Sequence, residues 1–355
     1  MAASFRIRTL ALRFALGLPC LCAAQQPASP LLQSLAAAHH VCAAALAVIR
    51  HQQLQSVEVA SGCDPALPLD ADSVFEAASL GKPVFAYAVL KLAQQGRLDL
   101  DRPLVEHLPE GYLHRQNPFD TRPTARTDAV TDPRLGLVTA RMVLNHTSGL
   151  PNWSNGPLHF DFDPGSRWQY SGEGYLLLQR VVEQVSGQPL QDFMRAQVFE
   201  PLGMPHSAYV RRADADGTLV PSIAADGTPR KLKPFAVAVA PASLYTSAAD
   251  YGRFMAALLG DAALLERITA APVPVSEAPA LEWGLGWGIE NTAGGRFIWQ
   301  WGHNPGYRSF AMASASGGDG FVLLTDSDEG QSLAEPIAAA LLPGPHPLVG
   351  FPMLR

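Results

Sequence analysis

The stretch Phe75-Glu76-Ala77-Ala78-Ser79-Leu80-Gly81-Lys82-Pro83-Val84-Phe85-Ala86-Tyr87-Ala88-Val89-Leu90 decides how the rest of the chain is read. Small residues give way here to a helical apolar pattern. Val84, Phe85, Ala88, Val89 and Leu92 recur three and four apart, which puts them on one helix face. Pro83 fits only the first turn of that helix, where its missing N–H has no partner to lose. The helix is therefore expected to start at or just before Ser79 and to end near Gly96. Residues three apart on a helix are neighbours, so the Lys82 amine can reach the Ser79 hydroxyl. The amino end of a helix disfavours an ammonium. A partly desolvated lysine there has a lowered pKa and can act as a base, which is what an activated serine needs. The competing reading is a capping serine three residues before a solvated lysine. Against it, only four of the 26 Lys and Arg residues are lysines (82, 91, 231 and 233). Lys82 also lies among Leu, Gly, Pro and Val, not on a charged face.

Outward from that stretch, the 355 residues are 48% hydrophobic and 16% charged, enough for a substantial core and against global disorder. The net charge is −6, and no basic cluster exceeds Arg230-Lys231-Leu232-Lys233, which speaks against nucleic acid as a partner. Residues 1–24 read as an export signal. Arg6, Arg8 and Arg13 precede an apolar run at 14–24, and the small Cys22 and Ala24 suit cleavage before Gln25. The run is too short to span a bilayer, and no later stretch reaches that length. A periplasmic or secreted location follows as an expectation; a disordered N-terminus is the alternative.

Of the four cysteines, Cys42 and Cys63 remain after the signal. They bracket apolar runs at 43–49 and 57–60. In a hairpin centred on Gln52-Gln53, facing residues have numbers that sum to 105, and Cys42 faces Cys63. A cross-strand disulfide fits an oxidising compartment, with two buried thiols as the alternative. Residues 25–35 read as a Pro/Ser/Gln linker, 36–62 as helix then hairpin, 114–135 as a polar surface loop, and 211–234 as a loop or weak hairpin. Helices are expected at 140–144, 174–184, 190–198, 251–259 and 333–342. Strands are expected at 284–289, 297–301, 310–314 and 320–325. Strands at both chain ends with helices between them fit one α+β domain over 36–345. It would hold a sheet built from both termini, a mainly helical insertion over about 114–235, and a tail at 346–355.

Three blocks lie in order along the chain: Ser79-Leu80-Gly81-Lys82, Tyr170-Ser171-Gly172 and Trp301-Gly302-His303-Asn304. With Leu144-Asn145-His146-Thr147-Ser148-Gly149-Leu150-Pro151, Pro201-Leu202-Gly203-Met204 and 243–250 as supporting phrases, the chain resembles the serine β-lactamase and penicillin-binding protein superfamily over about residues 38–342. The branch it resembles is that of class C-like β-lactamases, D-Ala-D-Ala carboxypeptidases and serine esterases. The resemblance implies a β-lactamase/transpeptidase-like fold: an antiparallel sheet flanked by helices, with an all-helical region. It implies an acyl-enzyme on Ser79, deprotonation assisted by Lys82, and a proton shuttle at Tyr170. A phenol acts as a base only where cations lower its pKa, and Lys82 is the expected one. His303 and Asn304 would line the cleft, with the Ser79 and Gly306 N–H groups as the oxyanion hole. The partner would be a small-molecule or peptide substrate, with no metal and no organic cofactor.

Two departures narrow the expectation. Gly172 stands where an asparagine amide often holds an acylamino group. His303-Asn304-Pro305 stands where Lys-Thr-Gly or His-x-Gly is common, and a histidine attracts a substrate carboxylate only when protonated. Both favour an esterase or peptidase over an efficient β-lactamase. They also motivate a rival of another class, a non-catalytic binding or regulatory module that keeps the fold. Elsewhere, His39-His40 lacks further ligands at zinc spacing. Gly284-x-Gly286-x-Gly288 lacks the strand–turn–helix context of a dinucleotide loop. His146 reads as structural, anchoring the 145–149 turn.

Overall fold

The computed structural model describes residues 25–27, 29–63, 67–211, 219–224 and 228–354. The export segment expected over 1–24 lies outside them. The expected linker instead forms strand β1 (Gln25–Pro27) and helix α1 (Pro30–Ala38). The Ser29 hydroxyl caps α1 by accepting the Leu32 N–H at 3.3 Å, and Pro30 sits where its missing donor costs nothing. Strands β2 (Ala44–Arg50) and β3 (Gln53–Ala60) form the hairpin. Its register differs from the expected one. Pairs from Ala44↔Ala60 to Val48↔Ser56 have numbers that sum to 104, a bulge follows, and Arg50 faces Gln53. The turn residues are His51 and Gln52, both left-handed at φ 50° and 64°, as a two-residue loop that follows the strand twist requires. A disulfide joins Cys42 to Cys63 beyond the paired ends, with Cα atoms 4.8 Å apart.

Strand β4 (Val74–Ala78) leads into helix α2 (Gly81–Gln94), which is buried along most of its length. The expected helical insertion is largely loop. It carries a ribbon of β5 (Leu113–Arg115) and β6 (Thr127–Ala129), then α3 (Ala140–Leu144), α4 (Glu173–Ser186) and α5 (Leu190–Met194), which runs on into a π turn. Prolines and glycines between these pieces break any longer helix. Strand β7 (Leu244–Ser247) pairs with β4. The Ser247 and Asp261 side chains cap α6 (Ala248–Gly260) and α7 (Ala262–Thr269).

Strands β8 (Val273–Glu277), β9 (Ala280–Trp283), β10 (Gly288–Thr292), β11 (Gly295–Asn304), β12 (Tyr307–Ser314) and β13 (Gly320–Thr325) follow, then α8 (Ala334–Leu341). The sheet order is β1-β3-β2-β13-β12-β11-β10-β9-β8. Every neighbour is antiparallel except β1, which lies parallel to β3. The chain's two ends meet where β13 pairs with β2.

Because strand side chains alternate, β2 feeds two cores. Ala45, Ala47 and Ile49 pack with α2 and α6; Ala44, Leu46 and Val48 pack with α1 and α8. The expected C-terminal tail belongs to the second core, since Leu348, Phe351 and Leu354 are buried in it. No helix among the described residues is long and apolar enough to cross a membrane.

Candidate active site

Strand β4 ends on Ala78, a non-glycine residue at φ 50°. That conformation is strained, and it turns the chain so that Ser79 stands at the head of α2. The helix itself begins at Gly81, two residues later than expected, with Leu80 at its N-cap. The Ser79 carbonyl accepts the Lys82 N–H at 3.0 Å. The intervening turn brings the two side chains together.

Lys82 Nζ donates to Ser79 Oγ at 3.0 Å and to the Pro241 carbonyl at 3.0 Å. Ser79 Oγ lies 3.2 Å from that same carbonyl. Lys82 is 1% exposed, and among the described residues no carboxylate ion-pairs with it. Burial alone therefore drives its pKa well below the ordinary lysine value. A neutral amine 3.0 Å from a hydroxyl can accept its proton.

Tyr170 closes the second side. Gln300 Nε2 donates to its hydroxyl at 2.9 Å and to the Ser79 carbonyl at 3.2 Å. Lys82 Nζ lies 4.6 Å from the Tyr170 ring centroid, over the ring face. The phenol does not have the lowered pKa expected of it. Burial pushes it up, against weaker opposing hydrogen bonds to Ser79 and Gln300. A protonated Tyr170 can donate and relay a proton but does not rest as a phenolate. Its ring is held by Trp301 at 4.9 Å and by His146 at 4.4 Å. His146 is fully buried at φ 60°, and its Nδ1 accepts the Ser171 N–H at 3.1 Å. Burial first, and second the repulsion that any proton on Lys82 would add, lower this imidazole's pKa well below the ordinary histidine value.

The third wall is β11. Side chains at Gln300, Gly302 and Asn304 share one face of the strand. A Cβ at Gly302 would lie 2.2 Å from both the Ala77 carbonyl oxygen and Ser309 Oγ. The glycine thus lets β11 press against β4, with Gln300 and Asn304 to either side of the contact. Gln300 was not singled out from the sequence; alternation from Asn304 is the signal that points to it. Asn304 Nδ2 donates to Glu76 Oε2 at 3.0 Å and to the Ala242 carbonyl at 3.3 Å.

His303 is at the exposed rim. Burial of its ring and then the Arg308 charge lower its pKa, with Asp328 opposing them. It is not the standing cation that a substrate carboxylate would need. Gly306 is not positioned as expected either. Pro305 and Gly306 form the tight turn between β11 and β12, and the Gly306 N–H donates to Asp328 Oδ1 at 2.9 Å. The pair flanking such a turn is hydrogen-bonded, so Asn304↔Tyr307 and Gly302↔Ser309 are the bonded pairs. The Trp301 and His303 N–H groups therefore point away from β12. They point to the side where β10 has already ended, at Gly288↔Trp299.

These walls enclose a cleft of about 410 Å3 lined by Ser79, Tyr170, Asn304, His303 and a rim of Phe119, Trp153, Trp301 and Met353. At Gly172, a Cβ would lie 2.6 Å from the Asn152 carbonyl oxygen and 3.2 Å from the Trp153 ring. The space beside Gly172 is thus filled by the Asn152 backbone and, at 3.2 Å each, by the Asn152 amide oxygen and the Trp153 ring. Among the described residues no group of three His, Cys, Asp or Glu side chains could hold a metal ion.

A buried Ser–Lys pair at a helix head, faced by a tyrosine and by the inner strand of an antiparallel sheet, marks the β-lactamase/transpeptidase-like fold. Comparisons with known proteins agree. A D-alanine carboxypeptidase from Burkholderia cenocepacia superposes with a TM-score of 0.70 at 17% identity, over 88% of this chain and 97% of that one. Penicillin-binding protein 4* of Bacillus subtilis (strain 168) is 26% identical over 342 residues, 80% of this chain and 67% of that protein. Esterase EstB of Burkholderia gladioli is 35% identical over 173 residues, 40% of each chain. The Beta-lactamase family profile matches residues 29–343, and the chain belongs to that family. Its relatives and fold neighbours are serine hydrolases, esterase and carboxypeptidase among them.

Proposed function

We propose that this protein is an exported serine hydrolase that cleaves an ester or amide through an acyl-enzyme on Ser79, and that its cleft favours uncharged, apolar or aromatic groups beside the scissile bond. The observation that carries the reading is the 3.0 Å contact between Ser79 Oγ and the amine of a buried lysine that has no ion pair among the described residues. As Ser79 Oγ attacks the substrate carbonyl, its proton passes to neutral Lys82. Tyr170 relays a proton to the departing alcohol or amine and is reprotonated from Lys82. The oxyanion accepts hydrogen bonds from the Ser79 N–H and the His303 N–H, in place of the Gly306 N–H. Water then attacks the acyl carbonyl and the same groups run in reverse. The preference for neutral substrates rests on the aromatic rim and on a His303 that is uncharged at neutral pH, since a free carboxylate beside the reacting bond finds no standing cation there.

Export is supported by the N-terminal Arg-then-apolar pattern and by a disulfide that suits an oxidising compartment. The test is labelling with a fluorophosphonate probe together with 4-nitrophenyl ester hydrolysis. Wild type is expected to label and turn over. Ser79→Ala is expected to lose both, by at least about a thousandfold in rate, as nucleophile removal does elsewhere. Labelling that persists in Ser79→Ala overturns the assignment. A folded wild type with ligand-induced melting shifts but no turnover of esters, amides or β-lactams favours the binding-module alternative.

A further inference from the structure

A second hollow lies past the aromatic rim of the Ser79 cleft. Its volume is about 600 Å3 against about 410 Å3 for the cleft, and the two share Phe119 and Trp153. These rings lie 6.0 Å apart, and each is 38% exposed. Large apolar side chains left in water between two adjoining cavities mark surface that a ligand covers.

Beyond the rings the character changes. The walls of the second hollow are polar, with Gln116, Asn155, Arg122 and Arg126 among them. The Arg122 guanidinium is neutralised by Asp120 through paired bonds of 2.8 and 2.7 Å. The exposed Arg126 guanidinium has no ion-pair partner among the described residues. The hollow thus carries one unbalanced positive charge, in a chain whose net charge is −6.

The hollow is also preformed. Its two sides are the β5–β6 ribbon, which carries Phe119 and Arg126 in its loop, and the segment bearing Trp153. His114 on β5 is fully buried and bridges Asp128 on β6, at 2.9 Å, to Glu173 at the start of α4, at 3.1 Å. Glu173 accepts the Ser154 N–H at 2.8 Å, and Asp128 accepts the Leu158 N–H at 3.1 Å. Both sides are thereby fixed to the helix that begins three residues after Tyr170.

We propose that this hollow is a second substrate subsite of the Ser79 cleft. It takes a carboxylate-ended arm of the substrate, with the apolar middle of that arm lying across Phe119 and Trp153 and the carboxylate meeting Arg126. The inference rests on the hydrolase reading above and extends it. The bond that reacts has uncharged surroundings, while the anion is recognised one cavity away. The substrate class is an ester or amide whose acyl or leaving group is an amphiphilic chain or aromatic segment ending in a carboxylate.

The test uses the full chain and 4-nitrophenyl monoesters of linear dicarboxylic acids, from succinate to sebacate, each paired with its methyl-capped diester. Turnover of 4-nitrophenyl acetate measures the active enzyme in each preparation. The expected result is a kcat/KM advantage of the acid over its methyl ester at the longer lengths. An exposed single guanidinium gives about three- to fivefold at low salt. The advantage is expected to shrink at high salt and to vanish in Arg126→Gln. Equal rates for acid and methyl ester at every length, or an advantage that survives in Arg126→Gln, overturns the subsite while leaving the hydrolase intact. Absence of turnover of every ester, acetate included, overturns both.

Discussion

Tyr170 and His146 form a tilted ring pair, centroids 4.4 Å apart, whose division of labour follows from their hydrogen bonds. The Tyr170 hydroxyl points to Ser79 and Gln300, while His146 spends its Nδ1 lone pair on the Ser171 N–H. His146 therefore positions the phenol without sharing its proton. In His146→Ala the Ser171 N–H loses its acceptor and the Tyr170 ring loses one wall. The expected outcome is a fall in kcat of about tenfold or more with little change in KM, and a lower melting temperature from the buried donor left unpaired. Ester kinetics and thermal melts on the variant check both. His146→Asn suits the left-handed backbone and keeps an acceptor, so it should recover part of the melting temperature. At this scale the sequence was informative where the chemistry is local. Ser79 and Lys82 are three residues apart, so helix geometry alone joins them. Gln300 and His146 reach Tyr170 only through tertiary packing. His146 was read as anchoring its own turn, because nothing in its neighbours shows that its ring faces Tyr170.

Strands β4 and β11 bring the proposed nucleophile, Ser79, and the cleft wall together, and their separation is set by a missing side chain. Gly302→Ala would drive a methyl group into the Ala77 carbonyl and the Ser309 hydroxyl. Backbone on one side cannot yield as a flexible side chain would. The expected cost is on the order of 1–3 kcal/mol of stability. A larger fractional loss of kcat should accompany it, because displacing β11 also moves Gln300 and the His303 N–H. Urea unfolding and initial-rate measurements on one preparation separate the two effects, and an unchanged kcat would contradict this account of the contact. Two of the elements that escaped sequence reading, β4 and β7, share a cause. β4 (Val74–Ala78) and β7 (Leu244–Ser247) are short, buried on both faces and run straight into helices, so neither shows the alternation of a half-buried strand. β11, β12 and β13 were legible because glycine-rich turns bound them. The β2–β3 register was misjudged because the turn falls on His51 and Gln52, one residue before the expected centre, and the bulge then recovers only part of that offset.

The sheet closes by joining residues from the two ends of the chain. Asp326, just past β13, accepts the Ala43 N–H at 2.8 Å, 283 positions away in sequence. Its carboxyl is buried, and burial raises its pKa from 3.8 to about 7. A raised folded-state value means the stability it lends is complete below about 3.8 and is lost as pH rises through about 7. Asp326→Asn removes the titration. The melting temperature of wild type relative to that variant is therefore expected to fall from pH 4 to about pH 7 and then level off; a constant difference would refute the buried carboxyl's role. The fold class was legible at this scale, since strands at both termini leave few other ways to build one sheet. The structured start at β1 and α1 and the packed C-terminus were not, because both owe their order to distant partners. The same closure bears on how the protein comes into being. A ribosome delivers Ser79 and Lys82 well before Gln300, which lies 221 positions after Ser79, and the strand that holds it. Until β11 is made, the nascent chain thus carries its proposed nucleophile without the wall that would aim it. A chain cut short before β11 has the Ser79–Lys82 pair and no cleft, so under the proposed mechanism activity waits on the synthesis of β11.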